Sequence, residues 1–330
     1  TDARGLLEHA HHGVPGLGEG YTTDDNARAL RYLSLLPEGA RDEGLVRTYL
    51  AFLLHMQKED GRFRNGLTLD GRFEDEGEAE DPTGRAVLAL AAAQRLPPPY
   101  AGPAREALLR ALPALEGFTS LRGRAYALLG LLALPKEPFL EAAEALGEGL
   151  LRAFREAEPA WPYPGPLTYA NHRPVEALYA YGLAFRRQEA VALARRALAF
   201  LKEHYFTPGE EGLFFDPVGN RFMARGRDKP LFDQQPIEAK CALLAHLRFG
   251  ERVLAAVAFL WFHGRNRLRA PLVDAFGPMD GLTPHGPNQN RGAEALLAYL
   301  LAWQALVQGV FPQVDEGVAL GRVFALGGRP

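Results

Sequence analysis

The 330-residue sequence has very little cysteine, no strong excess of charge and no long apolar run. Its single cysteine, Cys241, has no second cysteine for an internal disulfide, so we expect a buried thiol in a reducing cytoplasm. The longest apolar stretches, 125–134 and 295–303, are shorter than the ~20 residues of a membrane-spanning helix. These absences predict a cytoplasmic protein that does not enter a membrane.

Charge and motif content exclude further classes of partner. Lys and Arg total 37 against 40 Asp and Glu, and the net charge of -3 gives no electrostatic reason to expect nucleic acid. The sequence contains no GxSxG, P-loop or CxxC motif. His9, His11 and His12 have neither zinc-finger nor HExxH spacing. We therefore predict no metal, no cofactor and no nucleic-acid partner.

What the sequence does have is helical periodicity from end to end, with apolar residues at three- and four-residue spacing. The pattern predicts helices at about 24–36, 43–57, 82–95, 103–116, 120–133, 136–155, 171–186, 188–204, 235–248, 250–262 and 290–309. A twelfth is expected at 3–12 or in the C-terminal tail. Because no linker divides the chain, we expect one domain over residues 1–330.

Six of these helices begin with a cluster of polar residues, and we call these clusters heads 1 to 6. They are residues 20–26, 80–85, 119–124, 169–174, 232–238 and 288–294. The headed helices are rich in Ala and Gly and alternate with more highly charged helices. Repeated helical pairs bury their apolar faces on their neighbours, and six pairs can close into a ring. We predict an all-α fold, an α/α toroid (six-hairpin barrel), with headed helices as the inner shell, the others as the outer shell, and all heads at one end.

The heads and nearby loops carry side chains suited to sugar chemistry. Glycoside hydrolysis needs two carboxylic groups, one as acid and one as base or nucleophile. The predicted catalytic carboxylates are Asp24, Asp25, Asp81 and Asp233. The predicted substrate-binding residues, which offer hydrogen-bonding groups or aromatic faces to a sugar, are Tyr21, Asn26, Glu80, Arg85, Arg124, Trp161, Tyr169, Asn171, His172, Gln234, Gln235, His285, Asn288 and Asn290.

A purely structural interpretation of the same residues stays open. Asp, Thr and Ser before a helix are common caps, and Thr22 and Asp25 have the spacing of a capping box. Arg28 and Glu238 lie inside predicted helices, where a buried ion pair explains them as well as a substrate contact does.

Five segments together resemble bacterial proteins of the six-hairpin glycosidase-like group, which are often named with, or fused to, glycosyltransferases. The segments are GYTTDDNARAL at 20–30, EDPTGRAVLALA at 80–91, LTYANHRPVEAL at 167–178, FDQQPIEA at 232–239 and DGLTPHGPNQNRGAEALLAYLLA at 280–302. The resemblance covers almost the whole chain and implies an α/α toroid, carbohydrate processing and a glycosyltransferase as a candidate partner. One departure is Ala170, which stands where the fourth head of that group has an aspartate.

The resemblance leaves three functions open, because fold alone does not decide chemistry. The first is a glycoside hydrolase acting on an oligosaccharide or small sugar through paired carboxylates. The second is a sugar 2-epimerase or isomerase that uses His172 and His285 as proton carriers. The third is a non-catalytic sugar-binding module that supports a glycosyltransferase.

Overall fold

The computed structural model describes residues 1–74, 80–210 and 212–310. Within these ranges the chain forms eleven α-helices. They are α1 (Thr23–Leu35), α2 (Glu43–Met56), α3 (Glu80–Ala92), α4 (Pro98–Leu115), α5 (Leu121–Leu131), α6 (Phe139–Glu156), α7 (His172–Ala184), α8 (Gln188–Tyr205), α9 (Pro236–Arg248), α10 (Arg252–Leu260) and α11 (Ala293–Val310). All eleven predicted helices are confirmed, with ends that differ by a few residues. In the described part of the chain, none is long and apolar enough to cross a membrane.

The same ranges contain short strands and two 3₁₀ turns, Glu38–Ala40 and Ala93–Arg95. The strands are β1 (Ala10–His11), β2 (Val14–Pro15), β3 (Tyr21–Thr22), β4 (Gly66–Leu67), β5 (Phe206–Gly209), β6 (Gly212–Phe215), β7 (Val273–Asp274), β8 (Gly277–Pro278), β9 (Leu282–Thr283) and β10 (Gly286–Pro287). Antiparallel pairs join β3 to β4, β5 to β6, β7 to β8 and β9 to β10. The predicted helix at 3–12 is wrong, because Leu7 forms an antiparallel bridge with Tyr21. Its alternative, a helix in the C-terminal tail, lies outside the described residues.

The chain forms two compact units. Residues 1–10, 14–153 and 177–191 make up the first, and residues 11–13, 154–176 and the described residues from 192 onward make up the second. Heads 1 to 3 belong to the first unit, and heads 4 to 6 belong to the second. The single domain that we expected over residues 1–330 stays a prediction.

In the first unit, α3 packs against both α1 and α5. The backbones of α3 and α5 approach closely at two glycines, since a Cβ added to Gly84 would lie 2.5 Å from the carbonyl oxygen of Gly123. A real side chain does not fit in this space, so glycine is required. The small residues of α3 and α5 therefore bring heads 2 and 3 side by side.

In the second unit, α9 packs against α10 and α11. Every residue from Pro236 to Leu243 is buried, and these consecutive residues cover all sides of the helix. Burial all round is typical of a helix inside a core. Cys241 is a buried free thiol, as predicted. Pro236 opens α9 at its first turn, where the missing N–H breaks no helical hydrogen bond.

Candidate functional site

Heads 1 and 2 are joined by an ion pair between Asp24 and Arg85. The Arg85 guanidinium donates to Oδ2 of Asp24, and its Cζ lies 4.7 Å from the centroid of the Tyr126 ring. The side chain of Arg85 is 4% exposed, whereas that of Asp24 is 20% exposed. Asp24 is therefore the carboxylate of head 1 that retains access to solvent, and Arg85 fixes its orientation.

Asp25 lies instead in a buried ion pair. Its Oδ1 accepts a hydrogen bond from Nη1 of Arg28 at 2.5 Å, and both side chains are nearly fully buried. Thr22 accepts from the backbone N–H of Asp25 at 3.2 Å, and its hydroxyl donates to Oδ2 of Asp25 at 2.9 Å. Both oxygens are thus occupied by protein donors. This geometry supports the capping and ion-pair interpretation of Asp25 against the predicted catalytic role.

Two further side chains of head 1 are bonded within the protein. Oδ1 of Asn26 accepts from the N–H of Leu6 at 2.9 Å, and the Asn26 side chain is buried. The hydroxyl of Tyr21 donates to Asp2 at 2.5 Å. Burial and this bond raise the pKa of Tyr21 to about 12. Both residues hold the N-terminal segment against α1, and their predicted role as sugar ligands stays a prediction.

The acids of head 2 hold head 3. The Glu80 carboxylate accepts from the backbone N–H groups of Thr119 and Ser120, at 2.8 and 2.5 Å. Asp81 accepts from the Ser120 hydroxyl at 2.6 Å and from Nε of Arg122 at 2.7 Å. Burial raises the pKa of Asp81, but the Arg122 guanidinium and the Ser120 hydroxyl outweigh it, and the net shift is downward. Asp81 and Glu80 therefore serve as caps and ion-pair partners.

Arg124 points away from the acids of head 2. Its Nε donates to the carbonyl of Phe118 at 2.7 Å, and its Nη1 donates to the carbonyl of Gly149 on α6 at 3.2 Å. It lines a cavity of about 370 Å³ whose walls are mostly apolar residues of α4 and α6. A helix of the predicted outer shell thus accepts a hydrogen bond from this guanidinium, and the predicted role of Arg124 as a sugar ligand stays a prediction.

In the second unit, head 4 is buried. Nδ2 of Asn171 donates to the Tyr205 hydroxyl at 2.7 Å, and Oδ1 of Asn171 accepts from the N–H of Thr168 at 3.0 Å. His172 is fully buried, with ring centroids 4.8 Å from Tyr205 and 5.7 Å from His246. Burial, and then the nearby His246, lower the pKa of His172 well below its ordinary value. The His172 ring thus lies inside the second unit without solvent access, and its predicted contact with a substrate stays a prediction.

The two predicted loop aromatics of this unit, Trp161 and Tyr169, differ in exposure. Trp161 is 9% exposed, donates from Nε1 to the Gly165 carbonyl at 2.8 Å and packs edge-on against Phe200. It does not line the polar pocket described below, and its predicted role in substrate binding stays a prediction. Tyr169 is partly exposed and packs against a cluster of buried residues that includes Ala170.

Ala170 has a left-handed backbone with φ 54, and its side chain is completely buried. Its methyl group belongs to an apolar cluster with Ile237 and Cys241. Its N–H donates to Oε1 of Glu238, which joins head 4 to head 5. Position 170 therefore has no solvent-facing space in which a carboxylate could meet a substrate.

A polar pocket of about 170 Å³ lies in the second unit, where head 5 meets the β9–β10 hairpin. It is lined by Asn220, Asp233, Gln234, Gln235, Asp280, Gly281, Leu282, Thr283 and Asn288. Four of these residues were predicted: Asp233, Gln234, Gln235 and Asn288. The volume is below the ~300–1,000 Å³ of pockets for drug-sized ligands, so it suits one small polar group such as a single sugar ring.

Asp280 is a pocket residue that the head pattern missed. Its Oδ2 accepts from Nδ2 of Asn290 at 2.6 Å, and its Oδ1 accepts from the N–H of Gly292 next to α11. Asn290 was predicted to bind substrate, but its amide holds Asp280. The only signal for Asp280 in the sequence is its place at the start of the segment 280–302, well before the helix that it contacts.

Gln234 is held between two buried residues. Its Nε2 donates to Oδ1 of Asp216 at 2.8 Å, and its Oε1 accepts from Nε1 of Trp261 at 2.9 Å. Burial raises the pKa of Asp216, but Arg267 and Lys229 outweigh it and leave the pKa lowered. Gln234 is 1% exposed and hydrogen-bonded within the protein, and its predicted role as a sugar ligand stays a prediction.

The remaining predicted residues differ in their relation to the pocket. Gln235 is partly exposed and Asn288 is exposed, and both line it. His285 is exposed in the turn between β9 and β10, and its N–H donates to the Thr283 hydroxyl at 3.2 Å. It is not among the pocket residues.

Within each unit the three heads are neighbours. In the first unit, Asp24 of head 1 accepts a hydrogen bond from Arg85 of head 2, and Glu80 of head 2 accepts one from Ser120 of head 3. In the second, Glu238 of head 5 bonds head 4, and Gln234 bridges to Leu282 of the hairpin that leads into head 6. That all six heads share one end concerns both units together and stays a prediction.

No model of a known protein family and no curated protein matches the sequence. Solved structures do match its fold. A sugar epimerase from a ruminal bacterium aligns with a TM-score of 0.66 at 11% identity, covering 94% of this chain and 93% of its own. The cellobiose 2-epimerase from Spirochaeta thermophila aligns with a TM-score of 0.63 at 14% identity, covering 99% and 92%.

Hydrolases match as well. A GH76 α-mannanase from Bacteroides thetaiotaomicron aligns with a TM-score of 0.60 at 10% identity, covering 90% of this chain and 89% of its own. The chain has the α/α toroid fold of the six-hairpin class that these proteins share, which confirms the predicted fold. At such identities the similarity concerns fold alone. It does not extend to a glycosyltransferase partner.

Proposed function

We propose that the chain is a carbohydrate-active enzyme, a glycoside hydrolase whose sugar site is the polar pocket of the second unit. The observation that carries the proposal is that Asp233 and Asp280 line one small cavity together with amide side chains. Two carboxyl groups and a few hydrogen-bonding groups around a concave surface are what glycosidic bond hydrolysis requires.

The two carboxyl groups differ in their surroundings, and this suggests their roles. Asp280 has both oxygens oriented by Asn290 and Gly292, as suits a fixed carboxylate that activates water. Asp233 lines the same pocket, and we assign it the acid that protonates the leaving oxygen, a role that requires the bound sugar to shield its carboxyl group from water. In the reaction, the proton of Asp233 moves to the glycosidic oxygen as the bond to the anomeric carbon breaks. Water adds to that carbon, and its proton passes to Asp280 and returns through solvent to Asp233.

The structure favours this chemistry over the epimerase alternative for one reason. Proton exchange through His172 and His285 needs both rings at one substrate. His172 is fully buried, and His285 does not line the pocket. The epimerases among the structural neighbours keep the alternative worth testing, and the assay below separates the two.

The test is a panel of disaccharides and oligosaccharides in which released reducing sugar and epimerised product are both measured. We expect wild type to release sugar, and Asp233→Asn and Asp280→Asn each to lower kcat by about 10²-fold or more, the usual loss when acid–base catalysis is removed. Asp228→Asn is the matched control, because Asp228 is an exposed acid in the same long loop and does not line the pocket.

Epimerised product without released sugar would replace hydrolysis by isomerisation. Binding of a glycan without any product would favour the sugar-binding module. Full activity in both pocket variants, with melting temperatures unchanged, would contradict the proposed site itself.

A further inference from the structure

Asp233 has an unusual backbone. It is a non-glycine residue with φ 56, in the left-handed region, and its side chain is exposed at the pocket. Asp is more tolerant of this region than most residues, but the conformation still costs free energy and persists only where surrounding structure holds it. The residues that hold it therefore control where the Asp233 carboxylate lies.

The next residue, Gln234, is hydrogen-bonded through both its backbone and its side chain. Its backbone exchanges two hydrogen bonds with Leu282, each at 3.0 Å. Its side chain donates to Asp216 at 2.8 Å and to the carbonyl of Leu231 at 2.9 Å, and it accepts from Trp261 at 2.9 Å. Gly281 lets the hairpin approach this closely, because a Cβ there would lie 2.3 Å from the Gln234 carbonyl oxygen.

The two side-chain anchors of Gln234 are themselves fixed. The Asp216 carboxylate is fully buried and accepts from Arg267 at 3.0 and 2.6 Å and from Lys229 at 2.9 Å. Trp261 is also fully buried. A paired and hydrogen-bonded carboxylate in the interior moves little, so Gln234 is attached to a rigid base.

We propose that Asp216, Gln234 and Trp261 form a positioning clamp that holds Asp233 in its left-handed conformation and keeps its carboxylate at the pocket. The clamp rests on the proposed function only in the catalytic use of Asp233; its effect on the backbone is independent of it. A misplacement of about 1 Å in a reacting group can lower a rate by about 10²-fold, so residues that touch no substrate can control turnover.

Two variants remove hydrogen bonds of the clamp. Gln234→Met removes all three side-chain hydrogen bonds with little change in volume, and Trp261→Phe removes only the indole donor. Gln304→Met is the matched control: Gln304 is another glutamine of this unit, 8% exposed, and its Nε2 has no partner among the described residues.

The first readout is amide hydrogen exchange, which needs no substrate. We expect the backbone amides at positions 234 and 282 to exchange at least about tenfold faster in Gln234→Met and Trp261→Phe, and at an unchanged rate in Gln304→Met. The second is steady-state kinetics. We expect kcat to fall by about 10²-fold in Gln234→Met with KM changed much less, because the remaining pocket residues still bind the sugar.

Unchanged exchange rates at both amides would overturn the clamp, regardless of the measured kcat. Faster exchange with unchanged kcat, in a protein that hydrolyses sugar, would overturn its positioning role. If wild type has no activity on any glycan, the proposed function fails while the exchange measurement still decides whether the clamp holds Asp233.

Discussion

Replacing Ala170 by aspartate tests whether head 4 can carry a carboxylate at all. The side chain at this position is completely buried, packs with Ile237 and Cys241, and its N–H is bonded to the Glu238 carboxylate. A new carboxyl group there must stay protonated, because an ionised one would be unpaired in an apolar cluster close to a second acid. Holding it neutral at pH 7 costs about 4 kcal/mol, from an unfolded pKa of about 3.9 and 1.36 kcal/mol per pH unit.

We expect Ala170→Asp to be about 4 kcal/mol less stable at pH 7 than Ala170→Asn, measured by urea unfolding followed by circular dichroism. Asn is the control because it has the same shape and also tolerates the left-handed backbone. Since the folded pKa of the introduced group is raised, the deficit grows as pH rises above about 3.9 and vanishes below it. Equal stability of the two variants at pH 7 would refute this reasoning and show that position 170 reaches solvent.

Three more predictions concern stability. Gly84→Ala should destabilise by about 1–3 kcal/mol in thermal melts, since the added methyl meets the backbone of α5, whereas a neutral effect would contradict the close packing. Asp25→Asn should lower the free energy of unfolding by up to about 3–5 kcal/mol, because it breaks the buried ion pair with Arg28. The protein that remains folded should keep its kcat. Loss of kcat without loss of stability would instead support the predicted catalytic role of Asp25. Burial lowers the pKa values of His172 and His246, so the free energy of unfolding should fall as pH drops below about 6.5, by up to about 1.4 kcal/mol per pH unit for each histidine. His172→Phe should make this dependence on pH less steep. An unchanged slope would contradict the buried neutral ring.

The helices were predictable because burial leaves a direct mark on sequence. Apolar residues at three- and four-residue spacing define each amphipathic face, and small residues such as Gly84 mark the close approach of α3 and α5. The segment 3–12 was not predictable in this way, since Leu7 is held by pairing with Tyr21, a contact that the local pattern does not encode.

The site was less predictable, because residue type does not reveal the direction of a side chain. Asn171 and Gln234 were chosen as amides that bind sugar hydroxyls, yet both are buried and bonded inside the second unit. Asp280 and Asp216 were missed because they lie in loops, 12 and 18 residues before the residues from which they accept hydrogen bonds. Polar residues just before a helix can be helix caps or site residues, and the sequence pattern is the same for both. The tertiary contacts distinguish the two.

We propose that the pocket of the second unit binds a sugar between two carboxyl groups. The most direct measurement is a crystal structure of Asp233→Asn soaked with disaccharides and oligosaccharides of the assay panel. We expect a sugar ring in the pocket, within hydrogen-bond distance of Asp280, Gln235 or Asn288, with the glycosidic oxygen next to position 233. A sugar bound elsewhere, with this pocket empty at saturating ligand, would contradict it.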